Sequence, residues 1–255
     1  MDHATDDPAR IAELEAALAE ATEAIAAEGE TRQAFVSLVT HELRVPMTSI
    51  KGYTDLLIKG IMGPVSDAQL GFLQTIRANV DRMSKMVSDL SDINRIDGDR
   101  VPVSIAEVPL GEVLSEVTGA RNLAVDEKAL TVSVELRDVT VIADRARLAQ
   151  VLGYLLDNAI QYTPEGGTIT VTATPEDSQR TRISVADTGI GIPADEQARI
   201  FEMFFRASDE ETRATPGNGL SLHLSRRLLA LQNGEIGFDS QRGIGSTFWV
   251  TLPAA

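Results

Sequence analysis

The sequence predicts a two-part architecture. The first part is an all-α helical hairpin that completes a four-helix bundle only when two copies associate. The second is an α+β sandwich with helices on one face of a mixed sheet. Three observations carry this. Apolar residues recur at steps of three and four as far as Ile93. Beyond about Leu130 the period switches to two in several short runs. The chain of 255 residues, 43% of them hydrophobic, exceeds the usual single domain of roughly 100 to 200 residues.

Ile11, Leu14, Leu18, Ala21 and Ile25 set out a short coiled-coil seam with Glu and Ala between them, interrupted at Gly29; a solvated helical tail is the competing reading. The stripe resumes with Phe35, Leu38, Val39, Leu43, Ile50, Leu57 and Ile58. Pro46 removes one intrahelical hydrogen bond and is expected to kink this helix just after His41. Gly60-Ile61-Met62-Gly63-Pro64 ends it, and Ser66 or Asp67 can cap the next helix. That second helix carries Leu70, Leu73, Ile76, Val80, Met83, Val87, Leu90 and Ile93. One hairpin cannot cover both of its apolar seams, so a homodimer is the physical expectation. Past Asp97-Gly98-Asp99, a helix is predicted from about Pro109 to Lys128, strands at Leu130 to Leu136 and Val139 to Ala143, and a helix from Asp144 to Gln161. Gly167 to Ala173 and Arg182 to Ala186 alternate as a hairpin. A charged, Gly- and Pro-bearing segment then leads to a helix from Leu220 to Leu231, and Asn233-Gly234 turns into strands around Ile236 and Phe248 to Leu252.

Composition narrows the function. A net charge of -15 argues against a nucleic-acid or anionic-membrane surface. The chain has no cysteine, which excludes disulfides, thiolate nucleophiles and Cys-ligated zinc, and His3, His41 and His223 form no metal-ligand cluster. No apolar run approaches the ~20 residues of a membrane helix, and the acidic N-terminus does not read as a signal peptide. A cytoplasmic chain is expected, with any sensor missing here or on a separate module.

Val39-Thr40-His41-Glu42-Leu43-Arg44-Val45-Pro46-Met47-Thr48 sets an imidazole beside a carboxylate within a helix. Neutral imidazole is a good nucleophile near pH 7, and a carboxylate on its other nitrogen fixes the tautomer and takes up the proton. By itself the pair is more often an inert surface histidine, since neighbours in a helix do not face each other and Glu42 must fold back. Three further motifs follow: Asp157-Asn158-Ala159-Ile160-Gln161-Tyr162-Thr163-Pro164, Asp187-Thr188-Gly189-Ile190-Gly191-Ile192-Pro193, and Gly217-Asn218-Gly219-Leu220. In this order they resemble the H, N, G1 and G2 boxes of sensor histidine kinases. The segment from Phe201 to Arg206 with Asp209-Glu210-Glu211 looks like the F box and ATP lid, and Gly243 to Phe248 like a G3 turn.

The resemblance implies a Bergerat-type (GHKL) ATP-binding sandwich with ATP and Mg²⁺. It carries over His41 as phosphoacceptor and Glu42 as its base, Asp187 on the adenine, Asn158 on Mg²⁺, and Tyr162 near the base or phosphates. Gly189, Gly191, Arg206, Gly217, Gly219, Leu220 and Thr247 complete the nucleotide site. The implied division is a coiled-coil signalling helix over 1–30, a dimerisation and histidine phosphotransfer domain over 31–98, a linker over 99–108 and a catalytic domain over 109–255. The implied partners are a second copy and a response-regulator receiver domain.

The chain departs from the pattern at several positions. Tyr154 stands where asparagine is usual, and Gln161 where lysine or arginine is common, which removes one phosphate-facing cation. Met203, Ser221 and His223 also differ. Val45 replaces a Thr or Asn able to orient hydrolytic water, so weak or absent phosphatase activity is expected. These departures motivate a degenerate nucleotide-binding scaffold as the alternative to a slow kinase. A related ATPase that does conformational work has no use for the His41 motif.

Overall fold

The computed structural model describes residues 8–98, 101–136, 139–215 and 217–255, with side chains from Gly29 onward except those of Glu30, Arg32, Glu210 and Ala214. The seam from Ile11 to Ile25 therefore lies outside the described side chains, although its backbone is helical. The chain divides into two compact units, residues 1–100 and 101–255. Among the described residues, no helix is long and apolar enough to cross a membrane.

Helix α1 (Pro8–Ile58) opens on a proline, whose missing N–H costs nothing in a first turn, and continues as helix past Pro46. It stops by a Schellman arrangement. Gly60, at φ 68°, takes the left-handed conformation, Ile61 N donates to Leu56 O and Gly60 N to Leu57 O. Helix α2 (Asp67–Asp97) is capped by Ser66, not by Asp67. Ser66 Oγ accepts from Gln69 N at 3.3 Å and Gln69 Oε1 from Ser66 N at 2.8 Å, a complete capping box. Met47, Val80 and Val87 form a buried cluster between the two helices, with Ile93 and Ile96 buried further along α2. Arg77 reaches both Asp55 and Asp81, and Lys51 joins Asp81 at 2.7 Å. Much of the remaining stripe stays exposed, including Phe35, Leu38, Ile76 and Met83. That is the second seam the periodicity anticipates.

The second unit begins with β1 (Ala106–Pro109), which pairs antiparallel with β3 (Thr140–Ala143). The expected helix from Pro109 to Lys128 is two pieces, α3 (Leu110–Gly119) and α4 (Asn122–Glu127). The break falls at Arg121, whose side chain turns inward: Nε donates to Asp157 Oδ1, Nη1 to Val117 O and Nη2 to Gly153 O. The main sheet contains β2 (Thr131–Leu136), β4 (Thr168–Pro175), β5 (Arg180–Asp187), β6 (Glu235–Gln241) and β7 (Gly245–Pro253), in the order β2-β4-β5-β7-β6. Only β2 and β4 run parallel, so the sheet is mixed as predicted.

Alternate residues of the central strands, Ile169, Val171, Ile183, Val185, Val250 and Leu252, are buried. They share a core with Leu110 and Leu114 of α3, Leu148, Leu152 and Leu156 of α5 (Arg145–Tyr162) and Leu224 and Leu228 of α7 (Ser221–Ala230). Asp144 caps α5 through Ala146 N and Arg147 N. On the sheet, Trp249 lies across Gly237, where an added Cβ would meet the indole at 2.1 Å. Arg182 stacks on the indole at 4.2 Å.

Candidate functional site

His41 and Glu42 both sit on α1 with side chains 70% exposed. The carboxylate does fold back: His41 Nδ1 lies 3.1 Å from Glu42 Oε1. This contact favours the tautomer with its proton on Nδ1 and leaves Nε2 as the exposed, unprotonated nitrogen. The neighbouring Thr40 is buried, its hydroxyl donating to Val36 O and Ser37 O, which holds the preceding turn. Pro46, four residues beyond Glu42, has no N–H to offer the Glu42 carbonyl. Val45 is exposed one turn beyond His41 and brings no hydrogen-bonding group there.

In the second unit, the end of β5 supplies Asp187. Its Oδ1 accepts from Gly189 N at 2.8 Å and Ser246 N at 3.2 Å. Burial pushes the Asp187 carboxyl above the ordinary carboxylate range, against the pull of those two N–H groups. Both bonds fall on Oδ1, so Oδ2 is the atom left to accept from a ligand. Gly191 has φ 64°, and a Cβ there would lie 2.0 Å from Gln241 O, so only glycine lets this loop lie against the β6–β7 turn. Further bonds stitch the two together. Ile192 N donates to Ser240 Oγ, Gln197 Nε2 to Ile192 O and Ser240 O, and Gly243 N to Ile190 O. Thr247 lies on β7 opposite Ala186, one residue from the Asp187–Ser246 pair.

Helix α5 contributes Asn158, Gln161 and Tyr162, which share one face by their spacing and are neither buried nor fully exposed. Tyr162 O accepts from Ile190 N, joining the end of this helix to the Asp187 loop. Lys128 Nζ caps the same helix end, donating to Ile160 O, Gln161 O and Thr163 O. Tyr154 is buried and its hydroxyl accepts from Gln150 Nε2 at 3.2 Å. A phenol thus occupies core space at the usual asparagine position.

Opposite lies the segment from Phe201 to Leu220. Phe204 is exposed with φ 64°, a left-handed conformation rare for a bulky residue, and its N donates to Gly219 O. His223 Nδ1 faces Phe201 O at 3.1 Å, so this histidine braces the segment. The lid helix α6 (Glu210–Ala214) is capped by Asp209, and Arg206 Nη2 donates to Thr212 O and Thr215 O. Arg206 Nε is buried without a partner. Arg206 and Gln161 both border Gly217, each about 3.5 Å from where its Cβ would stand. Gly219 and Leu220 lead into α7, whose N-terminus has no side-chain cap, leaving first-turn amides for an anion. The Leu220 side chain is fully buried in the core, so only its backbone lies at the loop.

The candidate cradle thus comprises the Asp187 loop, which meets the end of α5 through Ile190 N and Tyr162 O, and Arg206 and Gly217, which lie beside Gln161 of the same helix. Residues that pattern reading misses are Lys128, Gln197, Ser240 and Arg242. No motif marks them, because each acts through backbone carbonyls or loop partners that only the folded chain brings near. Together, the buried carboxylate between glycine-bearing loops and the exposed histidine outline a class of protein: an α+β unit with a candidate nucleotide site, joined in sequence to a helical hairpin that presents an imidazole.

Comparison with known proteins fixes the family. Residues 31–99 match the His Kinase A (phospho-acceptor) domain, and residues 143–255 the histidine kinase-, DNA gyrase B-, and HSP90-like ATPase domain. The chain belongs to the sensor histidine kinases and comprises their catalytic core. It is 35% identical to the sensor histidine kinase GacS of Pseudomonas protegens, over 94% of this chain and 26% of that protein. It is 32% identical to the sensor-like histidine kinase SenX3 of Mycolicibacterium smegmatis, over 88% of this chain and 58% of that protein. The crystal structure of full-length ShkA in complex with AMPPNP superimposes with a TM-score of 0.71 at 30% identity, over 86% of this chain and 45% of ShkA. A solved chain of the mycobacterial sensor histidine kinase MprB gives 0.52 at 26% identity, over 59% of this chain and 98% of that chain. The chain spans about a quarter to three-fifths of the length of the curated relatives it matches.

Proposed function

We propose that two copies of this chain form a kinase core in which ATP, held by the second unit, phosphorylates His41, and that the phosphoryl group then passes to an aspartate of a response-regulator receiver domain. The observation that carries the reading is the 3.1 Å contact between His41 Nδ1 and Glu42 Oε1. It leaves Nε2 as the attacking atom. The Nε2–P bond forms as the bond from the γ-phosphorus to the β–γ bridging oxygen breaks and ADP leaves. Positive charge developing on the ring is met by Glu42, which takes the Nδ1 proton.

Asp187 Oδ2 would accept from the adenine amino group, the α7 amides would meet the phosphates, and the Arg206 guanidinium beside Gly217 would offset their charge. Asn158, half-buried on α5, offers an amide oxygen. That donor set fits Mg²⁺, which takes most of its ligands from phosphate and water. When bound, the ion neutralises charge on the phosphates.

The exposed apolar stripe of α1 and α2 supports the homodimer. Residues 1–30 would deliver the signal as a coiled coil from a separate sensor module, 31–98 dimerise and carry His41, 99–108 act as linker, and 109–255 bind ATP. This suits a cytoplasmic site, where ATP and receiver proteins are found. Val45 supports weak or absent phosphatase activity.

A second reading, a scaffold that binds nucleotide without phosphotransfer, is favoured by Gln161 at the cradle and by the buried Tyr154. Incubation with Mg²⁺ and γ-labelled ATP, beside His41→Ala and Asn158→Ala, separates the two. Acid-labile label on the wild type and on neither variant supports the kinase. Nucleotide binding without label supports the scaffold.

A further inference from the structure

A five-residue helix has no intrinsic stability in water, so α6 depends on what anchors it. Two arginines hold it from opposite ends. Arg206 takes carbonyls at its C-terminal end. At its N-terminal end, Arg242 Nη2 donates to Glu211 Oε2 at 2.9 Å and lies 3.4 Å from Asp209 Oδ1, the capping carboxylate. The same guanidinium reaches back through Nη1 to Ile190 O and Gly191 O, both at 3.5 Å. Arg242 belongs to the β6–β7 turn, which is itself stitched to the Asp187 loop through Gly243 N and Ser240. One side chain therefore spans the loop that reads the base and the lid that covers the phosphates.

We propose that Arg242 is a positioning residue for nucleotide capture: it anchors the lid helix to the base-binding loop before ATP arrives, so that part of the ordering cost of closing the lid is already met. This rests on the nucleotide-binding reading above. Because Arg242 and Glu211 are partly exposed, the anchor is modest and salt-sensitive. It concerns retention of nucleotide more than the chemical step.

The test is hydrogen exchange of residues 207–215 in the nucleotide-free protein, joined to stopped-flow binding of a fluorescent ATP analogue. Arg242→Gln is expected to raise α6 exchange severalfold and the Kd about three- to fivefold, chiefly through faster dissociation. Arg242→Lys should recover part of both, and the gap between wild type and Arg242→Gln should shrink near ~0.5 M salt. Glu211→Gln, which removes the pair from the lid side, should reproduce the exchange effect if Arg242→Gln lowers the thermal midpoint. Unchanged α6 exchange in both variants, or a Kd raised only through slower association with unaltered dissociation, overturns the proposal. A wild type that binds no nucleotide overturns the reading beneath it, while the exchange data still decide whether Arg242 holds the lid.

Discussion

Replacing Asp187 by asparagine tests the nucleotide site where its geometry is most constrained. Oδ1 already accepts two backbone N–H groups, from Gly189 and Ser246. The amide introduced by Asp187→Asn must keep its oxygen on those two donors, which turns its NH₂ toward the ligand. A donor then faces the adenine amino donor. The lost bond to a charged acceptor is worth about 1.5 to 3 kcal/mol, so Kd for an ATP analogue should rise about 10- to 150-fold. Stability should move the other way. Burial raises the Asp187 carboxyl, so its contribution to folding is complete below the ordinary carboxylate range and is lost as pH rises through the raised value. At pH 7 the wild type therefore carries a burial cost that the variant lacks. Isothermal titration should show the weaker binding, and thermal melts should show a higher Tm for Asp187→Asn at pH 7, the difference narrowing toward pH 4. Unchanged affinity, or a lower Tm at neutral pH, would refute the assignment of Asp187 as a desolvated base reader.

Three further outcomes are expected. Gln161→Lys restores a cation beside Arg206 and Gly217 and should raise the autophosphorylation rate by about one to two decades, read by single-turnover labelling; an unchanged rate would mean that Arg206 suffices. Val45→Thr should increase release of phosphate from a phosphorylated receiver, and no gain would separate this position from water activation. Asp144→Ala should cost about 1 to 2 kcal/mol of stability in the second unit by denaturant melt, through loss of the α5 cap and of the acceptor for Ser104 N. Burial pushes the Asp144 carboxyl up, but the N–H groups of Ser104, Arg147 and Ala146 together hold it below the ordinary range. Its contribution is thus present at neutral pH and lost in acid, so wild type and variant should converge as pH falls through that lowered value.

The hairpin, the mixed sheet and α5 are legible in the sequence because each has a clear period and a clear stop. Ser66, Gly60 and Asp144 act as the turn chemistry suggests. Strand β1 leaves no such trace: its four residues show no useful alternation, and only Val108 among them is buried, opposite Val141 of β3. The helix break at Arg121 is hidden for a related reason. A side chain bonding inward to Gly153 O and Asp157 terminates the helical run, and no local propensity signals a partner more than thirty positions away. In the site, Asp187 and the glycines stand out through their own motifs. Gln197 and Ser240 do not, since any polar residue in a loop looks alike until its carbonyl partners are known.

Trp249 is the chain's sole tryptophan and lies in the second unit, sandwiched between Gly237 and Arg182. Its emission thus reports only on the sheet, whereas far-ultraviolet ellipticity is dominated by the long helices of the hairpin. A melt followed by both signals distinguishes a chain that unfolds in one cooperative step from one whose halves let go separately. Displaced midpoints would mark two halves that unfold independently.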